Sequence, residues 1–407
     1  VALTNARIVD GTGAAPVERG TIVIASGRIT GVGPATAVSV PAGAQRIDAT
    51  GKTIVPGFVN AHGHLNAGRG GAMPLGDTLV RQLKTYASYG VTSVVTLGAG
   101  EADELEGIRL MQEQDRPGLD RARLYTAGQN AEGRTPEEAR QSVERLAALK
   151  AHAVKFHING TPNDMAEATW NAIVDESTRR GLPTAVHIFY LKDAAAAVDK
   201  GVNVIAHSVR DQDVDAALTA SLIRRNVGYV PTLTRDLSVF VYETTPAFLK
   251  DPFFLRGSAL YGGQVPALTS PQNQERVRQN PTTATIRKAL AQAERNLKRL
   301  SDSGVTIAMG TDSGAGAGRW QGYFEHVEME MMRTAGLSPM QVLVASTRNA
   351  ATIFGLTQVG TLQPGRWADL VVLSANPLDD VRNTRAIDSV WIAGVRLADV
   401  TPASQSR

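Results

Sequence analysis

The 407-residue chain has no cysteine. That excludes disulfides, thiol nucleophiles, zinc fingers and iron–sulfur clusters together, and any metal it holds must be held by nitrogen and oxygen. A dominant charge is also lacking: 42 Lys+Arg against 39 Asp+Glu leave a formal +3. The densest basic stretch, Arg287–Arg299, is of mixed sign and reads as a helix face, so no nucleic-acid partner is expected. No apolar run approaches the ~18–20 residues of a membrane span, so no membrane partner is expected either. With 43% hydrophobic and 20% charged residues the chain is not disordered, and its length suits one large domain or two. It opens on Val1, as a processed chain would. A bacterial-type soluble enzyme, cytoplasmic or periplasmic after signal removal, is expected, and the compartment stays unknown.

Both ends read as β structure. Val1–Val9 and Thr21–Ala25 are short apolar runs, and Ser26-Gly27 is a two-residue hairpin turn into Arg28–Val32. Trp367–Ser374 and Val390–Leu397, the latter around Ala393-Gly394, have the same texture. Two β-rich ends around a different middle predict one small composite β-sandwich, from residues 1–55 and 358–407.

The middle, residues 56–357, alternates apolar runs with helical stretches. The runs are Thr53–Ala61, Thr92–Leu97, Arg123–Ala127, Ala153–Ile158, Pro183–Ile188, Val202–His207, Val227–Leu233 and Val305–Gly310. Thr135-Pro136-Glu137-Glu138 is a capping box, Asp164–Arg180 stops at Gly181, and Ser338-Pro339 opens Met340–Phe354. Eight such β/α units predict an α/β protein with a (β/α)8 TIM barrel. The rival, a doubly wound open sheet, is weakened because no glycine-rich phosphate loop follows the first run. An insertion of about 70 residues, 236–303, separates the last two runs. It carries prolines and then a helix, Ala284–Leu300. A lid or specificity element and a structural or oligomer contact are both open readings, so homo-oligomerisation stays open too.

Barrel chemistry lies at the C-terminal ends of strands. Run one ends in Asn60-Ala61-His62-Gly63-His64, and alternate residues of a strand share a face, which puts His62 and His64 together about 6–7 Å apart. Run four carries Lys155, runs five and six end at His187 and His207, and run eight leads to Asp312. Each alone has a bland reading: a hydrogen-bonded core histidine, a barrel-interior lysine, an ordinary loop aspartate. Their shared position suggests a divalent ion. His157, two residues after Lys155, is open between substrate contact, a partner of a ligand and packing. His152 is expected at the surface or a helix end, and His326, inside a helix predicted over Gln321–Arg333, is expected to be structural.

The ordered set Val55-Pro56-Gly57-Phe58-Val59-Asn60-Ala61-His62-Gly63-His64, Lys155, His187, His207 and Gly310-Thr311-Asp312 resembles the amidohydrolase superfamily of metal-dependent hydrolases. The flanking Gly51-Lys52 and Gly360–Val372 resemble its β-sandwich. The look is to the imidazolonepropionase-like and Xaa-Pro dipeptidase-like branch. The resemblance implies that His62, His64 and Asp312 hold a buried metal, that His187 and His207 hold a second, and that Lys155 bridges them as a carbamate (carboxylated lysine). An anion there is physically reasonable, since an ammonium between two cations is untenable. Zinc is the implied metal, one or two ions per chain; in single-metal members the sixth-strand His contacts substrate or water. The implied chemistry is a metal-bound hydroxide attacking an amide-like C–N bond of a small molecule, such as an N-acyl amino acid or dipeptide. Asp312 would move the proton, and a metal, or an unliganded His207, would polarise the carbonyl.

Deaminase branches carry a Glu three residues after the fifth-strand His; here Tyr190 stands there. A deaminase or lactonase is therefore the alternative, and a non-catalytic binding protein the third reading. Candidates for substrate contact are His157, Tyr190, Arg210, Tyr229 and Arg235, with ordinary salt bridging the rival reading for the arginines.

Overall fold

The computed structural model describes residues 1–69, 71 and 73–398. The N-terminal strands are β1 (Ala2–Ile8), β2 (Val17–Ala25), β3 (Arg28–Pro34), β4 (Arg46–Asp48) and β5 (Thr53–Pro56). A parallel series follows: β6 (Phe58–Gly63), β7 (Val91–Thr96), β8 (Arg123–Thr126), β9 (Val154–His157), β10 (Thr184–His187), β11 (Val204–Ala206) and β12 (Gly228–Val230). The chain returns to antiparallel pairing in β13 (Leu370–Leu373), β14 (Ile387–Ile392) and β15 (Val395–Arg396).

Both ends meet in one eight-stranded sheet, ordered β15-β14-β13-β5-β1-β2-β3, with β4 also on β1. The junction is β13 against β5, Leu370 facing Pro56 and Leu373 facing Thr53. One face buries Leu3, Ile22, Ile24, Ile29, Ile54, Leu370 and Trp391. The predicted hairpin is present: Ala25 pairs with Arg28, and Ser26 and Gly27 both take positive φ (49° and 79°), the pair of values a type I′ turn requires.

The first expected barrel run is two strands. Thr53–Pro56 belongs to the terminal sheet and Phe58–Gly63 to the parallel series. The switch is at Gly57, whose N–H donates to Asp369 O (2.9 Å), while Phe58 N–H donates to Gly90 O (2.9 Å). A Cβ on Gly57 would lie 2.0 Å from Thr92 Oγ1, so only glycine lets the backbone cross here.

The parallel strands form two sheets, β6-β7-β8 and β12-β11-β10-β9. Residues 305–310 run between them. Tyr229 N–H donates to Thr306 O (2.9 Å), Ala308 N–H to Tyr229 O (3.0 Å) and Ala61 N–H to Met309 O (2.9 Å). The eighth run thus touches both sheets, by an isolated bridge of Ile307 to Tyr229 and by the Met309 hydrogen bond to Ala61, and is not a regular strand. The architecture is a TIM-barrel-like α/β fold, with seven regular parallel strands among the described residues.

The helix signals hold with local shifts. Thr135 caps Pro136–Ala148 by accepting from Glu138 N–H, but the Glu138 carboxylate accepts from Arg134 N–H (2.7 Å), one residue before the box pattern. The next helix is Glu167–Arg179, shorter than expected. Asp164 instead closes the preceding loop, accepting from the N–H groups of Asn159, Gly160 and Thr161. Ser338 opens Pro339–Val344 with a reciprocal box to Gln341, and a π-turn, Ala345–Asn349, follows. The insertion ends in the helix Pro281–Asp302, and earlier in it Tyr242, Phe253, Phe254 and Tyr261 join Tyr89, Trp320, Tyr323 and Phe324 in one aromatic cluster.

One buried ion pair ties the two sheet systems together. Arg123 on β8, fully buried, donates from Nε to Asp369 Oδ2 (2.6 Å) beneath Trp367; Asp369 Oδ1 accepts from Ala393 N–H (2.7 Å). Asp369→Ala leaves the buried guanidinium only the longer carboxylate contact, to the exposed Asp115 (3.4 Å), and is expected to cost about 3–5 kcal/mol, read by denaturant unfolding.

Candidate metal centre

His62 is buried at the end of β6, and its N–H donates to Asn60 Oδ1 (2.9 Å). Asn60 in turn donates to Thr311 Oγ1 (2.9 Å) and to Glu325 Oε1 (2.5 Å), which also accepts from Thr311 and Ser313. This network locks the His62 strand end to the turn that carries Asp312. His64 Nε2 stands 2.8 Å and His62 Nε2 3.4 Å from Asp312 Oδ1. His64 Nδ1 lies 3.1 Å from Gly98 O, a contact in which Nδ1 is the donor and which turns Nε2 toward Asp312. Ligand atoms of His62, His64 and Asp312 all lie within 4.8 Å of one another, the span of a metal-binding group.

The other imidazoles extend from that group. The His207 ring is centred 4.7 Å from that of His62 and 4.4 Å from that of His187, which is 4.9 Å from His157. His207 Nδ1 is 2.7 Å from Thr232 Oγ1, leaving Nε2 for the cavity. Three non-glycine residues here take left-handed backbone, His207 (φ 74°), Thr232 (φ 49°) and Asp312 (φ 58°), a kind of strain that concentrates at functional sites. Lys155 is buried and its Nζ has no hydrogen-bond partner; the same holds for His62 Nδ1.

Burial, with the Lys155 charge behind it, pushes His187 down to about 2 and His157 to about 4, and holds His62 well below the imidazole range. His207 is driven the same way by burial and by His187. These rings are neutral donors, the form that ligates metal. Burial lowers Lys155 to about 7. For Asp312, burial acts upward, but the hydrogen bond with His64 and the Arg319 guanidinium carry it well below the carboxylate range.

A cavity of about 460 Å³ opens over these groups. Its wall includes His62, His64, Lys155, His157, His187, His207, Asp312 and Arg235. Tyr190, Arg210 and Tyr229 are not in that wall. Tyr229 is fully buried, its hydroxyl accepting from Val209 N–H (2.8 Å), and Arg210 is buried against Asp236 (3.2 Å) and Phe189. Tyr190 packs beside Gly160 just before the helix Leu191–Lys200. Sequence reading passed over four polar wall residues, Asn66, Asp103, Asn130 and Arg319. Asn130 follows the third run, and its buried Oδ1 has no partner; Arg319 is a lone charge in a Gly/Ala-rich stretch after Asp312. A polar residue just past a strand was the available signal for Asn130.

His152 is half-buried just past the end of the helix Pro136–Ala148, with Nε2 2.8 Å from Phe354 O. His326 is structural as expected, fully buried between Thr384 Oγ1 (2.9 Å) and Tyr89 O (2.8 Å) in the helix Tyr323–Thr334. Burial pushes it down to about 3. Its folded pKa lies below the unfolded value of about 6.5, so its contribution to stability is complete above about pH 6.5 and is lost as pH falls toward 3. The loss should reach about 1.4 kcal/mol per pH unit. His326→Gln should flatten that part of the stability–pH curve in denaturant titrations.

A TIM-barrel-like scaffold with a His/Asp donor group at its strand ends defines a class of metal-dependent hydrolases. Residues 53–397 match the model of the amidohydrolase family, and the chain belongs to that family. It is a hydrolase acting on carbon–nitrogen bonds. It is 25% identical to imidazolonepropionase of Myxococcus xanthus, over 86% of this chain and 83% of that one. Against imidazolonepropionase of Deinococcus radiodurans it is 24% identical over 94% and 92%. It superposes on a Xaa-Pro dipeptidase with bound methionine at a TM-score of 0.72 and 18% identity, covering 97% of this chain and 98% of that one.

Proposed function

We propose that the chain is a metal-dependent amidohydrolase that cleaves an amide-like C–N bond of a small molecule such as an N-acyl amino acid or dipeptide. The observation that carries this is the convergence of His62, His64 and Asp312 beside a buried Lys155 with no partner. An unpartnered lysine among neutral imidazoles is costly without a function. The donor set, all nitrogen and oxygen and mostly neutral, fits a divalent ion, zinc above all. His62, His64 and Asp312 would hold one ion, His187 and His207 a second, and Lys155, as its carbamate, would be the anion between them. Bound there, the metal supplies Lewis acidity toward water and the scissile carbonyl.

The chain's own residues do the rest. Asp312 accepts a proton from water as its oxygen bonds to the carbonyl carbon, then delivers it to the nitrogen as the C–N bond breaks. His157 and Arg235, both in the cavity wall, are placed to contact substrate. We infer further that the parallel strands close as a (β/α)8 barrel within residues 56–357, and that 1–55 and 358–398 form the composite sandwich, residues 399–407 of the expected unit lying outside the described residues.

Metal-supplied protein should be screened on N-acyl amino acids, dipeptides including Xaa-Pro, an imidazolone propionate, lactones and amino-purines. Amide cleavage is the expected outcome. Turnover confined to ammonia release from amino-purines, or to lactones, would overturn the reading. Tyr190 favours the amide over the deaminase: it occupies the position of the deaminase Glu and lies outside the cavity wall.

A further inference from the structure

Asp312 is held from both sides. Oδ1 faces His64 and His62, and Oδ2 is ion-paired with the guanidinium of Arg319. The oxygen not turned toward the histidines is therefore covered by a cation. Arg319 is not locked there by burial, since its side chain keeps a fifth of its surface exposed and lines the cavity. Its second hydrogen bond runs from Nε to Ser238 Oγ (3.2 Å), at the start of the long insertion.

The backbone around Arg319 is turned by glycines and held in place. Gly314, Gly318 and Gly322 all take positive φ, +87°, +77° and +86°. Gly318 is gripped from the insertion: its carbonyl accepts from the Tyr242 hydroxyl (2.7 Å), and its N–H donates to Gln264 Oε1 (3.1 Å). The insertion, whose role the sequence left open, thus holds the arm that carries Arg319 over Asp312.

We propose that Arg319 is a substrate-responsive specificity residue: the carboxylate of an anionic substrate draws its guanidinium from Asp312 Oδ2, and the exchange both anchors that substrate and uncovers the oxygen. This rests on the hydrolase reading and narrows its substrates to amides that carry a carboxylate near the scissile bond. The exchange replaces one guanidinium–carboxylate pair by another, so the guanidinium stays paired throughout, while the Asp312 carboxylate keeps its Oδ1 contacts with His64 and His62. Arg235 faces the same cavity, but its partner Asp236 (2.7 Å) is outside the cavity wall, so drawing Arg235 away would uncover no residue of the donor group. A neutral analogue offers nothing to draw Arg319 away.

The test uses matched pairs on the full-length, metal-supplied protein: an N-acyl amino acid and its carboxamide for turnover, and the N-alkyl amino acid and its carboxamide, which have no amide bond to the amino acid nitrogen, for binding by calorimetry. Wild type should prefer the acid at least tenfold in both measurements. Arg319→Gln should lower kcat/KM for the acid about 100-fold, mainly through KM, and raise it for the carboxamide severalfold. Arg319→Lys should keep part of the acid preference, which serves if the glutamine variant folds poorly. Equal losses on acid and carboxamide, or an acid preference unchanged in both variants, would overturn the proposal; so would failure of wild type to bind the N-alkyl acid more tightly than its carboxamide. Acid-selective binding lost in Arg319→Gln with no amide turned over would instead leave this inference standing and defeat the hydrolase reading.

Discussion

Asp312→Asn should lower kcat by about 10³–10⁴-fold at saturating metal while KM changes by less than about threefold. The amide is nearly isosteric and can still face His64, so the cavity keeps its shape. It cannot accept the proton released by attacking water or return it to the leaving nitrogen, and general acid–base groups are worth about 10²–10⁴-fold. The loss of a charged donor beside His62 and His64 adds to this. An effect on kcat with little effect on KM marks a group used in the transition state rather than in ground-state binding. Steady-state kinetics on whichever amide the screen identifies, with metal content measured on the same sample, decides the matter. A variant retaining a tenth or more of wild-type kcat would remove Asp312 from the proposed proton path.

Lys155→Met should separate function from stability in opposite directions. Activity should fall at least 10³-fold, because the anion proposed to sit between the two halves of the donor set cannot form on a thioether. The metal-stripped protein should become more stable by a few kcal/mol at pH 6. A buried ammonium with no hydrogen-bond partner carries a large desolvation cost, which a methionine of similar length avoids. The sign follows from the direction of the shift. Burial lowers Lys155 to about 7, below its unfolded value, so its penalty is absent above about pH 10.5 and grows as pH falls toward 7. Denaturant unfolding of metal-stripped wild type and variant at pH 6 reads this directly. A destabilised variant would mean that Lys155 is an ordinary packing residue with a partner in solution.

Much of the donor set was legible because the signals that mark it are local. A period of two along β6 puts His62 and His64 on one side, and strand ends in an alternating β/α pattern put Lys155, His187, His207 and Asp312 near the same mouth. What was not legible depends on the fold as a whole. The break at Gly57 is hidden within a continuous apolar run, because the change of partner from Asp369 to Gly90 is a long-range event. The left-handed conformations of His207, Thr232 and Asp312 are imposed by tertiary structure against local preference. Arg210 follows β11 and Tyr229 lies within β12, positions open to a cavity role, yet the Tyr229 hydroxyl meets Val209 N–H and Arg210 turns onto Asp236. Arg319 was passed over because a single arginine among glycines carries no periodic signal; only the insertion's grip on Gly318 brings it to Asp312.

Metal content tests the central claim most directly. Protein purified without chelator from zinc-supplemented cells should carry one to two divalent ions per chain by elemental mass spectrometry. A His62→Ala/His64→Ala double variant should carry less than about a tenth of that. Stripping the wild type should lower its melting temperature, and zinc should restore it, as expected for an ion that binds only the folded chain. Wild type that remains metal-free under these conditions, with no change in melting temperature on adding zinc, manganese or iron, would contradict the account.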